Sequence, residues 1–505
     1  MMPQEFIAAK SQELHRIVDE VMTIVSDAVA EQTPIHEVES KTLKIFLRGG
    51  RIALQLLVDC LGDGDVGEEH QLPDGTVVRR SAEAQPRPYV SIFGELDIRQ
   101  YVYAQREGQV IEFAAIEARL ALPEGKFSYV LQDWDQSFAM EQPFGTVNKT
   151  VRKILDLNQH VDSLERMNRE MAKPVEAFHA SQAVPPKEEE GEIFVQTADG
   201  KGVPIRRPAD APPIMDHQHR SGPKPDRKKM ATVGAVYSID RFRRTPEDVV
   251  ESLFRDPTKK RPKTRRVHPR HKRMRAMLDH HDVHGDEVDG RAAIFGWIQG
   301  EMAARHAGST KPIICIMDGE EALWNMRDIF SQQSPMIDIL DLLHVTPRLW
   351  NAAFVFYPRE SGAAEHFVRE RLLRILRGEV KAVVRGLRRM GTARGLRGSK
   401  LIRLRTICGY LEKNRHRMRY HEYLAEGYPI ASGVIEGACR HVVKDRLERT
   451  GMNWIIPGAQ AMLNLRCIYL TEQWDSFITF RIARETKRLY PYRDTLQTLP
   501  WSVAA

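Results

Sequence analysis

The chain has 505 residues, 42% of them apolar, which is enough for several cores, and no apolar run approaches the ~20 residues that cross a bilayer. Its formal charge of +7 is unevenly spread: 22 Lys/Arg stand against 8 Asp/Glu from Lys201 to Arg275, and 17 against 4 from Glu365 to Tyr420. Distinct basic surfaces of this kind suit a polyanionic partner. The five cysteines (Cys60, Cys315, Cys408, Cys439, Cys467) are scattered and contain no Cys-x-x-Cys pair, and the N-terminus has no basic-then-apolar leader, so a reduced, soluble, cytoplasmic protein with no membrane partner is expected.

In chain order, Glu5 to Ala30 and Val38 to Leu61 repeat apolar residues at helical spacing and predict a helical pair that packs on the core or dimerises. A Gly-rich connector with a Pro73-Asp74-Gly75 turn follows. From Tyr89, alternation through Val90, Ile92, Leu96, Ile98, Tyr101 and Tyr103 predicts a small antiparallel sheet. Leu131 to Met171 returns to helical periodicity, and Phe144 to Ala172 offers two short helices in which a helix-turn-helix reader of DNA is one option and a plain helical subdomain the commoner one. A linker is expected from Pro174 to Glu190.

Beyond it, Gly191 to Gly200 reads as a short strand ending in Asp199-Gly200, Ala231 to Ser238 as a neighbouring strand, and Pro312 to Gly319 as a buried strand ending in Asp318-Gly319. A helix near Arg291 to Ala304, a helix from Glu321 to Phe330 and a strand from Met336 to Leu342 complete the alternation of an α/β layer. One Asp-Gly usually means only a turn. The constellation says more, because Glu436 heads a cation-rich stretch with Arg440, Lys444, Arg446 and Arg449, and is the first acid after the Pro429, Ser432, Gly433 turn. The ordinary reading of Glu436 and Arg440 is a surface pair. Three acids brought into one cleft would instead repel unless a divalent cation neutralised them, and oxygen ligands suit Mg²⁺ or Mn²⁺.

The block SGVIEGACRHVVKDRLERTGMNW, the GAQAMLNLR after it, the strand end IMDGEEALWN and the DLLH step resemble the DDE transposases of the ISKra insertion-sequence family, over roughly Tyr89 to Phe480. The resemblance implies an RNase H-like core, a mixed sheet flanked by helices and split by an all-α insertion. It implies a catalytic, metal-binding triad of Asp199, Asp318 and Glu436 holding two Mg²⁺ or Mn²⁺ ions, with Asp341 and His344 as accessory residues. The chain departs from some relatives in having no cysteine at Ala104 to Gly108, where a zinc-binding segment would stand. The implied partners are double-stranded DNA, as terminal inverted repeats and target, and further copies of the chain on that DNA, at the bacterial nucleoid.

Lys259 to Arg275 packs ten Lys/Arg into one stretch. It is a charged loop or, in an enzyme acting on DNA, a phosphate grip through Lys263, Arg265, Arg266, Arg270, Lys272 and Arg273. His280, His281 and His284 lack a fourth ligand at clear spacing, which favours a structural role. Val345 to Tyr423 is helical in pattern, with an Arg-rich outer face able to clamp DNA. Trp324, Trp350 and Trp454 are core residues in the ordinary case and base-stacking platforms in the sharper one, for which Trp324 and Trp454 are the candidates. The expected organisation is a helical region at 1–80, a sheet-and-helix DNA-binding region at 81–185, core at 186–345, the all-α insertion at 346–427, core with the catalytic helix at 428–480, and a tail at 481–505. The function expected is cleavage and joining of DNA phosphodiesters. The alternatives are an RNase H-like nuclease that does not join, and a non-catalytic DNA-binding derivative.

Overall fold

Periodicity of 3.6 in the first sixty residues becomes two helices, α1 (Gln4–Glu31) and α2 (Ile35–Asp59), which pack as a hairpin across a three-residue turn. The computed structural model describes residues 4–106, 108–206, 228–255, 267–281, 286–330, 335–359, 361–449 and 451–498. After the hairpin come seven short strands, β1 (Glu69–Gln71), β2 (Val77–Arg80), β3 (Gln85–Pro86), β4 (Tyr89–Ser91), β5 (Gly94–Leu96), β6 (Arg99–Gln100) and β7 (Tyr103–Ala104). They pair antiparallel in separate small ladders, β1-β2-β7, β3-β6 and β4-β5. Helices α3 (Ala115–Leu120), α4 (Tyr129–Glu141), α5 (Phe144–Leu155), α6 (Val161–Ala172) and α7 (Val175–Ser181) follow. The last of these lies inside the stretch expected to be a linker, and it is helical because Val175 and Phe178 have a core to enter.

The chain divides into two compact units, Met1–Phe178 with Trp474–Ala505, and His179–Gln473. The C-terminal stretch from 481 is therefore not simply a tail. Helix α19 (Trp474–Leu489) buries Trp474 and Phe477, and the Phe477 ring meets Phe178 edge-on at 5.3 Å.

The second unit is built on one mixed sheet. Its strands are β8 (Ile193–Pro204), β9 (Lys228–Ile239), β10 (Arg270–Leu278), β13 (Ile313–Met317) and β14 (Met336–Leu340), and β11 (His280–His281) and β12 (Glu287–Val288) form a small side ladder. The order is β10-β9-β8-β13-β14, with β9 antiparallel to both β10 and β8, and β8, β13 and β14 parallel to one another. Helices α8 (Pro246–Leu253), α9 (Gly290–His306) and α10 (Glu321–Phe330) intervene. Then come α11 (Leu342–Phe356), α12 (Gly362–Leu376), α13 (Val380–Ala393), α14 (Gly398–Lys413) and α15 (Tyr420–Ala425). Period-2 alternation sorts the strands' residues between two helical layers. Phe194, Ala198, Val236, Ile313, Cys315 and Met317 pack against α9 and α10. Ile193, Val195, Tyr237, Ile314 and Ile316 pack against α11 to α15. The expected insertion is thus one wall of the sheet's core.

Two strand readings change. The run through Asp199-Gly200 does not end there: β8 continues to Pro204, because β9 keeps pairing with it through Pro204 opposite Lys228. Arg270 to Arg275, expected as the end of a basic loop, belongs to strand β10 (Arg270–Leu278); Met274, Ala276 and Leu278 alternate into the core, and the long cations suit an edge strand. No helix among the described residues is long and apolar enough to cross a membrane.

Candidate active site

Strand register brings the first two acids together. β13 pairs with β8 at Ile313–Phe194, Ile314–Val195 and Cys315–Gln196, a constant offset of 119, and Asp318 stands 119 positions after Asp199. Continued past the last paired residues, that offset sets Asp199 of β8 level with Asp318, the residue after β13, on the face of Val195 and Ile316. Both are half-buried. Asp199 Oδ1 accepts the Gly200 N–H at 2.8 Å. Neither Gly200 nor Gly319 takes a positive φ, so neither makes the sharp turn that an Asp-Gly suggests. Gly319 has a different necessity: a Cβ there would enter the Tyr410 ring contributed by α14.

Helix α11 supplies the next partners. His344 Nδ1 lies 3.2 Å from Asp318 Oδ2. Burial works to raise the Asp318 carboxyl, but the His344 hydrogen bond and the charges of His344 and Arg348 hold it below its ordinary value. His344 moves the other way: its bond to Asp318, opposed by burial and helped by the charges of Asp318, Asp341 and Asp199, lifts it above the usual imidazole value. Arg348, one turn further along α11, donates to the His344 carbonyl at 2.6 Å and stacks 3.5 Å from the Tyr410 ring centre.

These shifts set a pH window. A depressed Asp318 stabilises the fold above the carboxylate range and loses that contribution as pH falls through its folded value; a raised His344 stabilises below about pH 6.5 and loses it as pH rises through its folded value. The melting-temperature difference between wild type and His344→Asn is therefore expected to be greatest between about pH 4 and 6.5 and to shrink above that. A difference that grows from pH 6.5 to 9 contradicts the pairing.

Asp341 is fully buried at the start of α11, where it accepts the Leu343 N–H at 2.8 Å and the Ser432 hydroxyl. It fastens the returning chain to the end of β14, as does the Leu342 N–H to Ile430 carbonyl bond of 3.0 Å. Asp341→Ala removes a helix cap and strands a buried hydroxyl, with an expected cost of about 3 kcal/mol read from the urea midpoint.

The chain then enters α16 (Gly433–Ala438), which carries Glu436, followed by a π-helical turn at Cys439–Lys444 and the short α17 (Asp445–Leu447). This segment lies on β8 and β9. Burial, together with the charge of Asp199 and a hydrogen bond to it, pushes the Cys439 thiol well up, so the protonated thiol faces the first aspartate. Glu436 is three residues earlier, one turn away on the same helix face, and its side chain is exposed. π turns are uncommon and cluster at functional sites. The buried Arg466 of α18 (Ile456–Leu470) donates to the carbonyls of His441 and Val442, which such a turn releases.

Asp199, Asp318, Asp341 and His344 thus come together, and Glu436 stands one turn outside them. Two neighbouring carboxylates suit a hard cation. The third ligand is not drawn in: among the described residues no group of three or more His, Cys, Asp or Glu is arranged to hold a metal ion.

Several expected DNA contacts are otherwise engaged. Trp324 is buried, donates to the Asp318 carbonyl at 2.6 Å and carries Arg417 at 3.8 Å over its ring. Trp454 donates to the Leu447 carbonyl and bridges Ile205, closing the far end of β8. Arg446 is fully buried, 5.0 Å from the Trp454 ring centre. Arg270 pairs with Asp240, and Arg273 with Glu301 at 3.0 Å. Neither is an open phosphate grip. Lys272 is half-buried, Arg440, Lys444 and Arg449 are exposed, and Lys263, Arg265 and Arg266 lie outside the described residues, as does His284. His280 bonds the Leu278 carbonyl at 2.8 Å.

The residues that sequence reasoning passed over are Arg348, Tyr410, Cys439 and Arg466. Only Arg348 carried a signal, its spacing of four from His344. Comparison with models of known protein families and with characterised proteins finds no match to this chain.

Proposed function

We propose that this chain is a metal-dependent DDE-type DNA transposase with an RNase H-like core, acting through Asp199, Asp318 and Glu436 at the transposon ends. The observation that carries the reading is the level placement of Asp199 on β8 and of Asp318 at the end of β13, with the Glu436 helix laid over β8 and touching Asp199 through Cys439. The sheet order supports it, since three antiparallel strands followed by two parallel ones put both aspartates on neighbouring central strands. Asp199 and Asp318 would hold Mg²⁺ or Mn²⁺, which activates a nucleophilic oxygen and stabilises the leaving one in phosphodiester chemistry. His344 and Arg348 set the charge on Asp318, and Asp341 with Ser432 orients the returning segment.

The basic helices supply a DNA surface. From Val380 to Leu411 there are nine Lys/Arg and no Asp or Glu. Neighbouring arginines are paired, such as Arg374 with Glu379 and Arg377 with Glu247. Lys381, Arg385, Arg389, Arg397, Lys400 and Arg403 are exposed, with no ion pair to any described residue. Changing Arg385, Arg389 and Lys400 together to Gln is expected to lower the slope of log affinity against log salt for duplex DNA by about 3. An unchanged slope removes this face from the interface.

The direct test incubates purified chain, Mg²⁺ and DNA bearing the inverted repeats that flank its gene, and looks for joined products on a gel. Cleavage without joining selects the nuclease reading. The exposure of Glu436 favours a second reading, a non-catalytic DNA-binding derivative, for which the expected result is EDTA-insensitive binding and no cleavage.

A further inference from the structure

The first unit holds a cleft of about 740 Å³ whose lining includes none of the residues proposed for catalysis. Two helices supply most of it. Ser163, Arg166, Met167 and Glu170 line it from α6, and Arg481, Arg484, Glu485 and Arg488 line it from α19 with the same spacings of three, one and three. Residues at i, i+3, i+4 and i+7 form one stripe of a helix, so each helix turns a stripe about 10 Å long to the cleft. The loop Glu124 to Phe127, which leads into the N-cap Ser128 of α4, completes the lining with Gln132, Lys173 and Pro174.

The lining carries six cations and three carboxylates. Each carboxylate already has a cation: Glu485 pairs with Arg481 at 3.2 Å, Glu124 with Arg488, and Glu170 with Lys173. Lys126, Arg166 and Arg484 remain, all exposed and with no ion pair to any described residue. They come from the loop, α6 and α19 respectively, so three separate elements bring like charge to one concavity, and such a cleft concentrates ions of the opposite sign. Its base is built in advance. Arg481, 6% exposed, donates to Gln132 Oε1 at 2.7 Å, and Gln132 Nε2 donates to the Phe127 carbonyl at 2.7 Å. Burial lowers the Arg481 guanidinium below its ordinary value, a cost that a nearby anion would offset. The same lining offers apolar surface in Phe127, Met167 and Pro174, and the Lys126 ammonium lies 5.1 Å from the Phe127 ring centre.

We infer that this cleft binds a small organic polyphosphate of nucleotide size, its phosphates held by Lys126, Arg166 and Arg484 and its ring laid on Phe127, Met167 and Pro174. Guanidinium forks match phosphate oxygens two at a time, and the cleft has the volume of a cofactor-sized pocket. A DNA duplex is the other source of phosphate, but it presents its backbone outward with the bases paired inside, and so has no free ring for the apolar surface. This site does not depend on the catalytic reading, and loss of either leaves the other standing.

The test is ADP binding to the full chain by isothermal titration calorimetry at about 0.15 M salt, in EDTA so that no metal can recruit the nucleotide to the aspartates. Saturable binding with a Kd on the order of 10 µM is expected. Arg166→Gln with Arg484→Gln alters two exposed side chains without touching a core, and should weaken ADP at least about 30-fold while duplex DNA affinity stays within about threefold. Arg152→Gln with Lys153→Gln removes the same charge from exposed positions of α5 outside the cleft, and should leave the Kd for ADP within about twofold. Inorganic pyrophosphate has the charge but no ring, and should bind at least about tenfold more weakly than ADP. Absence of saturable ADP binding, ADP binding that survives the Arg166 and Arg484 changes, equal losses in the two double variants, or pyrophosphate binding as tight as ADP overturns the inference. So does an equal loss of duplex affinity in the Arg166 and Arg484 variant, which would make the cleft part of a DNA surface.

Discussion

Asp318→Asn is expected to reduce DNA cleavage and joining at least about a thousandfold, equivalent to roughly 4 kcal/mol of transition-state stabilisation, while duplex binding stays within about threefold. The substitution keeps the size of the side chain and an oxygen facing His344, so the fold should change little. It removes the charge that makes the position useful to a cation. Asp199 is then left alone at its level of the sheet, because its neighbour at the end of β13 no longer carries a charge. His344 then faces a neutral acceptor instead of a carboxylate, which weakens the hydrogen bond that contributes most to raising it and removes the charge behind it, so its pKa should fall back towards the ordinary imidazole value. Proton NMR of the His344 ring, compared between wild type and Asp318→Asn, reads that fall without any activity assay. Near wild-type joining by Asp318→Asn would remove the triad assignment. An unmoved His344 would remove the pairing that the structure shows at 3.2 Å.

Arg466→Met is expected to destabilise the protein by about 4 kcal/mol, more than the Asp341→Ala change. Arg466 is 1% exposed and its Nε lies 3.0 Å from both the His441 and the Val442 carbonyl oxygens. Met fills similar volume but donates nothing, so two buried carbonyls are left without that donor, each worth about 1–3 kcal/mol. Part of the loss should return in Arg466→Lys, which restores one donor centre without the planar fork. The urea midpoint measures the cost. Because these carbonyls belong to the π turn that sets Cys439 against Asp199, the variant should also lose activity at temperatures where it remains folded. Full activity with the expected instability would show that the π turn serves the fold and not the site.

How far the sequence could be read depended on the range of the interaction involved. Apolar periodicity is local, and it made α1, α2, the Glu321–Phe330 helix and the buried run before Asp318 legible. The Arg270–Leu278 strand was hidden because its alternation is carried by Met274, Ala276 and Leu278 among cations, and an edge strand looks like a charged loop when its partner is unknown. The two tryptophans offered as stacking platforms had no local mark of their fate. Trp324 needs the Asp318 carbonyl and Arg417, and Trp454 needs the far end of β8.

The residue types of the site were set by the sequence itself: two Asp-Gly steps, a Glu at the head of a cation-rich helix, and a His three residues after Asp341. Their juxtaposition was decided only in three dimensions, because it depends on the register of β13 against β8 and on the path of a chain that leaves the sheet at Leu340 and returns at Ser432. Register between strands 119 residues apart is a long-range choice, made by which apolar faces can be buried together, and no local pattern encodes it. The same tertiary geometry holds Asp318 against His344 and leaves Glu436 one helical turn outside.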